Sequence, residues 1–367
     1  MTKSASPPPL SFPDSTELVG LVFELSLNAE TQLFLNYATG LHAWFLDQVR
    51  SQNPQLSQYL HDGQSEKPFT LSRLDGKIDP VGKRIQLYSQ ETYRWHISVL
   101  SQPTAQWLKT WLQNPPPTIN LRGVTFNIDN IAIAHPPTTY NQLLAISPKS
   151  KIALSFLSPT SFRSKGHHLP LPIPNNLFHS YLRRWNNFSN HPVDQNDFLD
   201  WIDENTLILR HRLETAKVPA GKRGSVTGFL GAIELSLAAN ASQNPEFHQL
   251  FFSLAHLAPY CGTGHKTPFG LGQTRLGWQQ EIPQIETLIA TTQLAQRIEQ
   301  LTTLLMQQQK RTGGTRASKI CQTRATILAR RETGESLQDI AADLNMPYET
   351  VKTYAKLARR VLKVHLE

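Results

Sequence analysis

In the first part of the chain, apolar residues recur first with the spacing of a strand and then with the spacing of a helix. Residues 17–28 alternate polar and apolar side chains and contain β-branched and aromatic residues, which is typical of a strand. Residues 31–50 change to helical spacing, with Leu41, Phe45 and Val49 on one stripe. The pattern also predicts helices at 55–61 and 103–112, and strands at 69–72, 85–89, 93–100 and 119–134. We interpret this order as the β, α, β, β, α, β arrangement of a ferredoxin-like domain.

A similar order repeats in the second part of the chain. It predicts helices at 176–188 and 245–257, and strands at 151–156, 206–212, 225–237 and 270–278. The proline-rich stretch at 135–148 marks the boundary between the two halves. We therefore expect tandem ferredoxin-like domains at 17–146 and 147–280, each large enough for its own core.

Beyond residue 281 the composition becomes rich in Gln, Thr and Leu, which predicts a linker helix within 281–311 and a flexible joint at 312–315. The remaining residues, 312–367, resemble a helix-turn-helix module, with helices at 335–344 and 348–362 around a turn at 345–347. The predicted fold class is thus α+β, two ferredoxin-like domains followed by an α-helical domain. The candidate nucleic-acid contacts in the second helix are Tyr348, Thr350, Lys352, Thr353 and Lys356.

Charge is concentrated near the end of the chain. The formal net charge is +8, and residues 310–367 alone hold twelve basic and six acidic residues, which favours a polyanionic partner. Cys261 and Cys321 show no metal or disulfide spacing. No apolar run approaches a membrane span, and residues 1–16 are rich in Ser and Pro without the plan of a signal peptide. We expect a cytoplasmic protein without a membrane partner, beginning with a disordered segment at 1–16.

The most distinctive motif is a glycine-rich loop between a predicted helix and a predicted strand. Its glycines are Gly262, Gly264, Gly270 and Gly272. Glycine lacks a Cβ, so its amide can face a phosphate and its backbone can adopt positive φ. A P-loop is excluded, because His265 separates Gly264 from Lys266 and because a helix, not a strand, precedes the loop. We expect an anion at this loop, with Lys266 adding a charge and His265 acting as a contact.

The G-x-G, five residues, G-x-G spacing resembles the loop of the RAMP superfamily of CRISPR-associated RNA-binding proteins. Further stretches of the chain, in this order and spacing, are similar to the Cas6 family of CRISPR RNA-processing endoribonucleases; they lie at 40–43, 53–62, 67–72, 158–163 and 227–232. The resemblance covers residues 17–280 and implies two ferredoxin-like domains that bind CRISPR repeat RNA. The helix-turn-helix module departs from the usual family plan.

The resemblance also implies cleavage without a metal or other cofactor, by attack of a ribose 2′-hydroxyl on the adjacent phosphate. That chemistry needs a base, an acid and a cation, roles that suit histidine and lysine or arginine. His61 and Lys67 match two positions of a Tyr, His and Lys set found in the family, whereas the tyrosine is not matched. Other members place a histidine on the first helix, where His42 lies. A packed core role for His42 and a helix-end role for His61 remain open.

Basic residues in the second half are candidates for RNA contacts. Arg163, Lys165 and His168 lie near an aromatic residue, and Lys222 and Arg223 occupy a probable hairpin tip. A solvated basic loop is the alternative.

Two further features of the second half, an arginine pair and a series of aspartates, have structural interpretations. Arg183 and Arg184 either extend the basic track or pair with Asp197, Asp200 and Asp203. With Asp194 these acids recur every three residues, and we interpret Asp194 as a helix N-cap instead of a metal ligand.

Three functions follow from the sequence. The first is an endoribonuclease that cuts precursor CRISPR RNA within each repeat. The second is a non-catalytic RNA-binding subunit of a CRISPR effector complex, with other subunits as partners. The third is a regulator that reads DNA, or a protein that holds structured RNA, through the C-terminal module.

Overall fold

The computed structural model describes residues 10–61, 66–81, 84–164, 167–219, 224–280, 285–308 and 314–363. Three predicted RNA contacts, Lys165, Lys222 and Arg223, lie outside the described residues, as does 1–9 of the predicted disordered start. The rest of that start is ordered by packing, because Phe12 is only 4% exposed and belongs to the first hydrophobic core. The expectation of disorder is therefore wrong for residues 10–16.

The first unit is a ferredoxin-like sheet covered by helices. Its elements are β1 (Leu18–Ser26), β2 (Thr31–Phe34), α1 (Tyr37–Gln52), α2 (Pro54–His61), β3 (Phe69–Leu71), β4 (Asp79–Val81), β5 (Arg84–Leu87), β6 (Tyr93–Val99), α3 (Gln102–Trp111), β7 (Thr118–Leu121), β8 (Val124–Thr138) and α4 (Tyr140–Leu144). The main sheet has the order β3-β6-β1-β8-β7, and its strands pair antiparallel. The strands β2, β5 and β4 form a second, smaller sheet.

Three boundaries in this unit differ from the sequence expectations. Residues 31–34 form a strand instead of the start of a helix, because they pair with β5. The predicted strand at 119–134 is a hairpin of two strands, turned at Arg122 and Gly123, both of which have positive φ. The second of these strands continues through Pro136 and Pro137, where the pairing with β1 shifts register. The expected boundary at 135–148 therefore begins inside a strand.

The second unit repeats the first. Its elements are β9 (Lys151–Thr160), β10 (Phe162–Ser164), β11 (His167–Leu169), α5 (Pro174–Phe188), α6 (Gln195–Asn205), β12 (Thr206–Pro219), β13 (Ser225–Leu237), α7 (Pro245–Cys261) and β14 (Thr274–Leu276). The sheet order β12-β13-β9-β14 corresponds to the order β3-β6-β1-β8 of the first unit. The expected final strand at 270–278 is shorter, because the glycine-rich loop occupies its first residues.

A helical region follows, made of α8 (Ile285–Gln307), α9 (Gly314–Glu332), α10 (Leu337–Leu344) and α11 (Tyr348–Lys363). The two helices expected around a turn are present, and Asn345 ends α10 in the left-handed conformation. Gly314 and Thr315 of the expected joint belong to α9, whereas 312–313 lie outside the described residues. Within the described part of the chain, no helix is both long and apolar enough to cross a membrane.

The helical region is not an independent module, because it shares a core with the first unit. The shared cluster includes Ile298 and Leu301 of α8 and Leu328 of α9. A buried charge network adds to this contact: Arg122 of the first unit lies 2.9 Å from Glu335, and Arg330 lies 2.5 Å from the same carboxylate. Removing one partner of such a network leaves a buried charge unpaired, so the network fixes the orientation of the helices.

Candidate active site

The glycine-rich loop joins α7 to β14 and is built by close backbone packing. Gly262, Gly264, Gly270 and Gly272 all have φ between +64° and +78°. A Cβ at Gly272 would lie 1.9 Å from the Thr263 carbonyl oxygen, and a Cβ at Gly264 would lie 2.3 Å from the Ser161 carbonyl oxygen. Only glycine fits such positions, because both the positive φ and the short approach exclude a side chain.

Three of the glycine amides are used inside the protein. Gly264 donates to Ser180 Oγ at 2.8 Å, Gly262 to the Ala258 carbonyl at 2.8 Å, and Gly272 to the Pro159 carbonyl at 3.2 Å. The expectation that these amides face a phosphate is therefore wrong. The glycines instead permit the chain to fold tightly, and the side chains that the loop carries are what it presents.

A buried arginine anchors the loop to helix α5. Arg184, at 3% exposure, donates from Nη2 to the Gly264 carbonyl at 2.7 Å, and its Nε lies 3.3 Å from Glu66. Arg183 meets the other oxygen of Glu66 at 3.0 Å. The alternative pairing of both arginines with the acids of α6 is thus not found, and Arg184 is a structural residue instead of part of a basic track. Glu66 also connects the second unit to the segment that precedes β3.

His42 lies where the two units meet. Its ring stacks on Phe269 of the second unit's loop, with centroids 4.2 Å apart and planes 18° from parallel. Phe69, on strand β3 of the first unit, lies 6.0 Å from the same ring. The side chain is half-buried, since it lies on the flank of the apolar stripe of α1. A histidine from the first unit is thereby held against the glycine-rich loop of the second.

Lys67 belongs to the same region. Together with Glu66, Arg163, Lys266 and Phe269 it lines a cavity of about 350 Å³ beside the loop. His42 is not a lining residue of this cavity, but its ring stacks on Phe269, which is one. A cation can stabilise a phosphate charge and an imidazole can move a proton, so both side chain types suit phosphate cleavage.

No contact in the described part of the chain places His61 beside the glycine-rich loop. It is the last residue of α2, its side chain is exposed, and it lines none of the cavities described around the loop. Of the two histidines predicted from the sequence, the structure places only His42 beside the loop. The catalytic role of either stays a prediction.

The predicted contacts Arg163, His168, His265 and Lys266 form one group between the loop and the β10–β11 hairpin. The rings of His168 and His265 stack with centroids 5.1 Å apart. Burial lowers the pKa of His265 to about 4 and the pKa of Lys266 to about 8, and it also lowers the pKa of His168. Both imidazoles are therefore neutral at pH 7, and the positive charge of the group comes from Arg163 and Lys266.

The candidate residues of α11 lie elsewhere. Tyr348, Lys352, Thr353 and Lys356 are exposed, whereas Thr350 is half-buried, and none lines a cavity described at the loop. Their role remains a prediction.

Asp194 has the structural role expected from the sequence. It is the N-cap of α6, and its side chain accepts from the amides of Asn196 and Asp197 at 2.9 and 3.0 Å.

Two residues that organise the site were not found from the sequence. Phe269 stands between glycines without a periodic pattern, so nothing indicated that it would pack against His42. Glu66 precedes a lysine in a polar segment, and its arginine partners are more than a hundred positions away. Only the aromatic inside a glycine-rich loop was a usable signal, since such a loop presents few other side chains.

Comparison with known proteins identifies both units. A family model described as "CRISPR-associated endoribonuclease Cas6" matches residues 154–274, and one described as "CRISPR Cas6 N-terminal domain" matches residues 20–123. Among curated proteins, the CRISPR-associated endoribonuclease Cas6 of Streptococcus thermophilus is 26% identical over 125 residues, which are 34% of this chain and 49% of that protein. The chain thus spans about half the length of the curated relative that it matches.

Solved structures agree with this assignment. A product complex of Thermus thermophilus Cas6 (TTHB231) is 26% identical, with a TM-score of 0.59, and the match covers 71% of this chain and all of that one. A Cas6-related protein from Pyrococcus furiosus shares the fold at 14% identity, with a TM-score of 0.52 over 72% of this chain and 100% of that one. The two family models together match more than half of the chain, in the order and at the places of the two ferredoxin-like units. The chain belongs to the Cas6 family of CRISPR-associated endoribonucleases.

Proposed function

We propose that this protein binds CRISPR repeat RNA and cleaves precursor CRISPR RNA, using side chains instead of a metal ion for acid–base chemistry. The observation that carries the proposal is the stacking of His42 on Phe269, with ring centroids 4.2 Å apart. It holds a proton-transferring side chain of the first unit against the loop that resembles the family's RNA-binding loop. The family's description as an endoribonuclease, together with a product complex of a similar Cas6 protein, supports the choice of RNA as substrate.

The proposed reaction is an internal transfer at one phosphate. The 2′-oxygen of the ribose forms a bond to phosphorus while the bond from phosphorus to the 5′-oxygen of the next nucleotide breaks. The proton of the 2′-hydroxyl passes to a base, and the leaving 5′-oxygen receives a proton from an acid. The products are a 2′,3′-cyclic phosphate and a 5′-hydroxyl.

His42 is the proposed proton-transferring group. Histidine suits this task, because its unperturbed pKa is close to neutrality. Lys67 is the proposed cation for the phosphorane, since it lines the cavity beside Phe269. His61 remains the competing histidine from the sequence motif.

The basic group of the second unit is proposed to hold the RNA near this point. Arg163 and Lys266 line the cavity that also contains Lys67 and Phe269. Arginine and lysine bind phosphates, and exposed rings stack on unpaired bases. The cavity therefore joins the proposed RNA contacts to the proposed cation Lys67, and Phe269 connects it to His42.

The test is cleavage of repeat RNA by the full chain in the presence of EDTA, with an RNA that carries a single 2′-deoxy nucleotide at the cut site as control. The proposal predicts cleavage of the unmodified RNA, a cyclic phosphate at the product end, and no cleavage of the deoxy RNA. Cleavage of the deoxy RNA, or a requirement for added magnesium, contradicts the mechanism. Tight binding without any cleavage identifies the protein as a non-catalytic RNA-binding subunit instead.

A further inference from the structure

A second cavity, of about 630 Å³, lies between the second ferredoxin-like unit and the added helices α8 and α9. Its lining from the ferredoxin-like unit includes Arg163, His167, His168, His265 and Lys266, and its lining from the helices includes Ile298, Glu299, Thr302, Thr303, Lys319 and Gln322. It shares Arg163, His265 and Lys266 with the cavity beside Phe269. The two cavities therefore border the same loop.

The charges of this cavity favour an anion. Arg163, Lys266 and Lys319 are the basic lining residues, and Glu299 is the acidic one. Glu299 forms an ion pair with Lys217, so its charge is already compensated within the protein. Lys319 is exposed, which leaves its ammonium group accessible from the cavity.

One buried nitrogen atom of a lining residue favours a ligand that also donates a hydrogen bond. His265 Nδ1 lies 3.0 Å from the Ser161 carbonyl oxygen, which can only accept, so Nδ1 carries the proton. The neutral ring then leaves Nε2 as an acceptor, and within the described part of the chain this buried atom has no partner. A buried polar atom without a partner is costly, and a ligand with a donor group removes that cost.

One class of ligand combines these properties. A ribonucleotide supplies phosphate for the basic residues, hydroxyl and amino donors for the imidazole, and a base that stacks on rings. A sulfate ion satisfies only the first requirement, and inorganic phosphate adds a hydroxyl donor but no base.

The wall made by the helices is preformed. The Gly224 amide donates to Thr326 Oγ1 of α9 at 3.3 Å, which connects α9 to the start of β13. The hydrophobic core shared with the first unit and the buried network around Arg330 fix the same helices from the other side. RNA binding here does not require the helical region to move.

We propose that α8 and α9 form the second wall of an RNA groove, so that repeat RNA continues from the glycine-rich loop into this cavity. There Lys319 contacts a phosphate, and His265 Nε2 accepts a hydrogen bond from a nucleotide. The inference rests on the proposed function only for its substrate class. It assigns RNA binding by the added helices to the face of α9 that carries Lys319. The competing assignment is binding of duplex nucleic acid through the exposed face of α11, which carries Lys352 and Lys356.

The experiment measures the affinity of the full chain for repeat RNA at several salt concentrations, for the unmodified protein, Lys319→Gln and the matched control Lys149→Gln. A further variant, Lys352→Gln, tests the competing assignment to α11. All three lysines are exposed, so the substitutions do not endanger folding, and a thermal melt of each variant checks this. We expect Lys319→Gln to weaken binding about three- to tenfold and to reduce the slope of log affinity against log salt by about 0.7, the value for one lost phosphate contact on a single strand. We expect Lys149→Gln to match the unmodified protein. Unchanged affinity and slope for Lys319→Gln would overturn the proposal, and loss of binding by Lys352→Gln alone would assign the site to α11.

Photo-crosslinking gives an independent readout. Repeat RNA containing 4-thiouridine should crosslink to peptides that contain residues 298–303 or 319–322, and crosslinks confined to the first unit would contradict the groove. The same samples, assayed for cleavage in EDTA, separate the two proposals. Binding that depends on Lys319 without any cleavage refutes the enzyme and keeps the groove, whereas cleavage with binding independent of Lys319 does the reverse.

Discussion

Substitution of Gly272 by alanine tests whether the glycine-rich loop is held by close backbone packing. An alanine Cβ there would lie 1.9 Å from the Thr263 carbonyl oxygen, at a φ of +69°. The positive φ costs roughly 1 kcal/mol for a residue with a side chain. Relief of the clash requires a movement of more than an ångström, which breaks or weakens two hydrogen bonds, Thr263 N–H to the Gly272 carbonyl at 2.8 Å and Gly272 N–H to the Pro159 carbonyl at 3.2 Å. Each contributes about 1 kcal/mol net, so the total loss is roughly 3 kcal/mol.

Gly277→Ala is the matched control for this substitution. Gly277 also has a positive φ, +93°, but a Cβ there would meet no atom within 4 Å. It should therefore lose only the roughly 1 kcal/mol of the backbone term. The difference of about 2 kcal/mol corresponds to roughly 4–8 °C in the melting temperature of a unit of this size, measured by differential scanning fluorimetry. Equal melting temperatures for the two variants would refute the argument from close packing.

Two further predictions concern stability. Arg184→Ala should lower the free energy of unfolding by roughly 3–5 kcal/mol in urea denaturation, because it removes a buried ion pair with Glu66 and leaves the buried Gly264 carbonyl without this donor. Arg183→Ala, at a side chain 40% exposed, should cost less than about 1 kcal/mol, and equal losses would contradict the anchoring role of Arg184. For His265, burial lowers the pKa from 6.5 to about 4, so its contribution is fully present above pH 6.5 and is lost as the pH falls through 4. Between pH 7 and pH 5 the His265→Gln variant should therefore lose less stability than the unmodified protein, and an identical loss would show that this imidazole is not buried neutral.

The strand β1 was accessible from the sequence because its second half buries one face, with Phe23 and Leu25 buried and Val22 and Glu24 less so, which produces a period of two. The order of elements is repeated in the two halves, and this repeat predicted the tandem fold. Short edge strands such as β2 were missed, since four residues at the start of a helical-looking stretch do not establish a period. The strand β8 was cut too early, because Pro136 and Pro137 normally end a strand, yet here they stand where the pairing with β1 shifts register.

The site was only partly accessible from the sequence. The loop and its glycines were predictable from the sequence, because backbone positions with positive φ favour glycine. What the loop contacts was not found, since Glu66, which pairs with Arg184, and His42, which stacks on Phe269, lie on the other unit and leave no local pattern. The attachment of the helical region also stayed hidden, because its buried charge network joins Arg122 to residues more than two hundred positions away.

The most direct test of the central claim is the single-turnover cleavage rate of His42→Ala and His61→Ala with repeat RNA in EDTA, at protein concentrations that saturate binding. If His42 transfers a proton at the reacting phosphate, its loss should slow cleavage by roughly 10²–10⁴-fold while the affinity for RNA changes little, and His61→Ala should cleave at nearly the unmodified rate. A full rate for His42→Ala, together with a comparable collapse for His61→Ala, would contradict the account and move the chemistry to the end of α2.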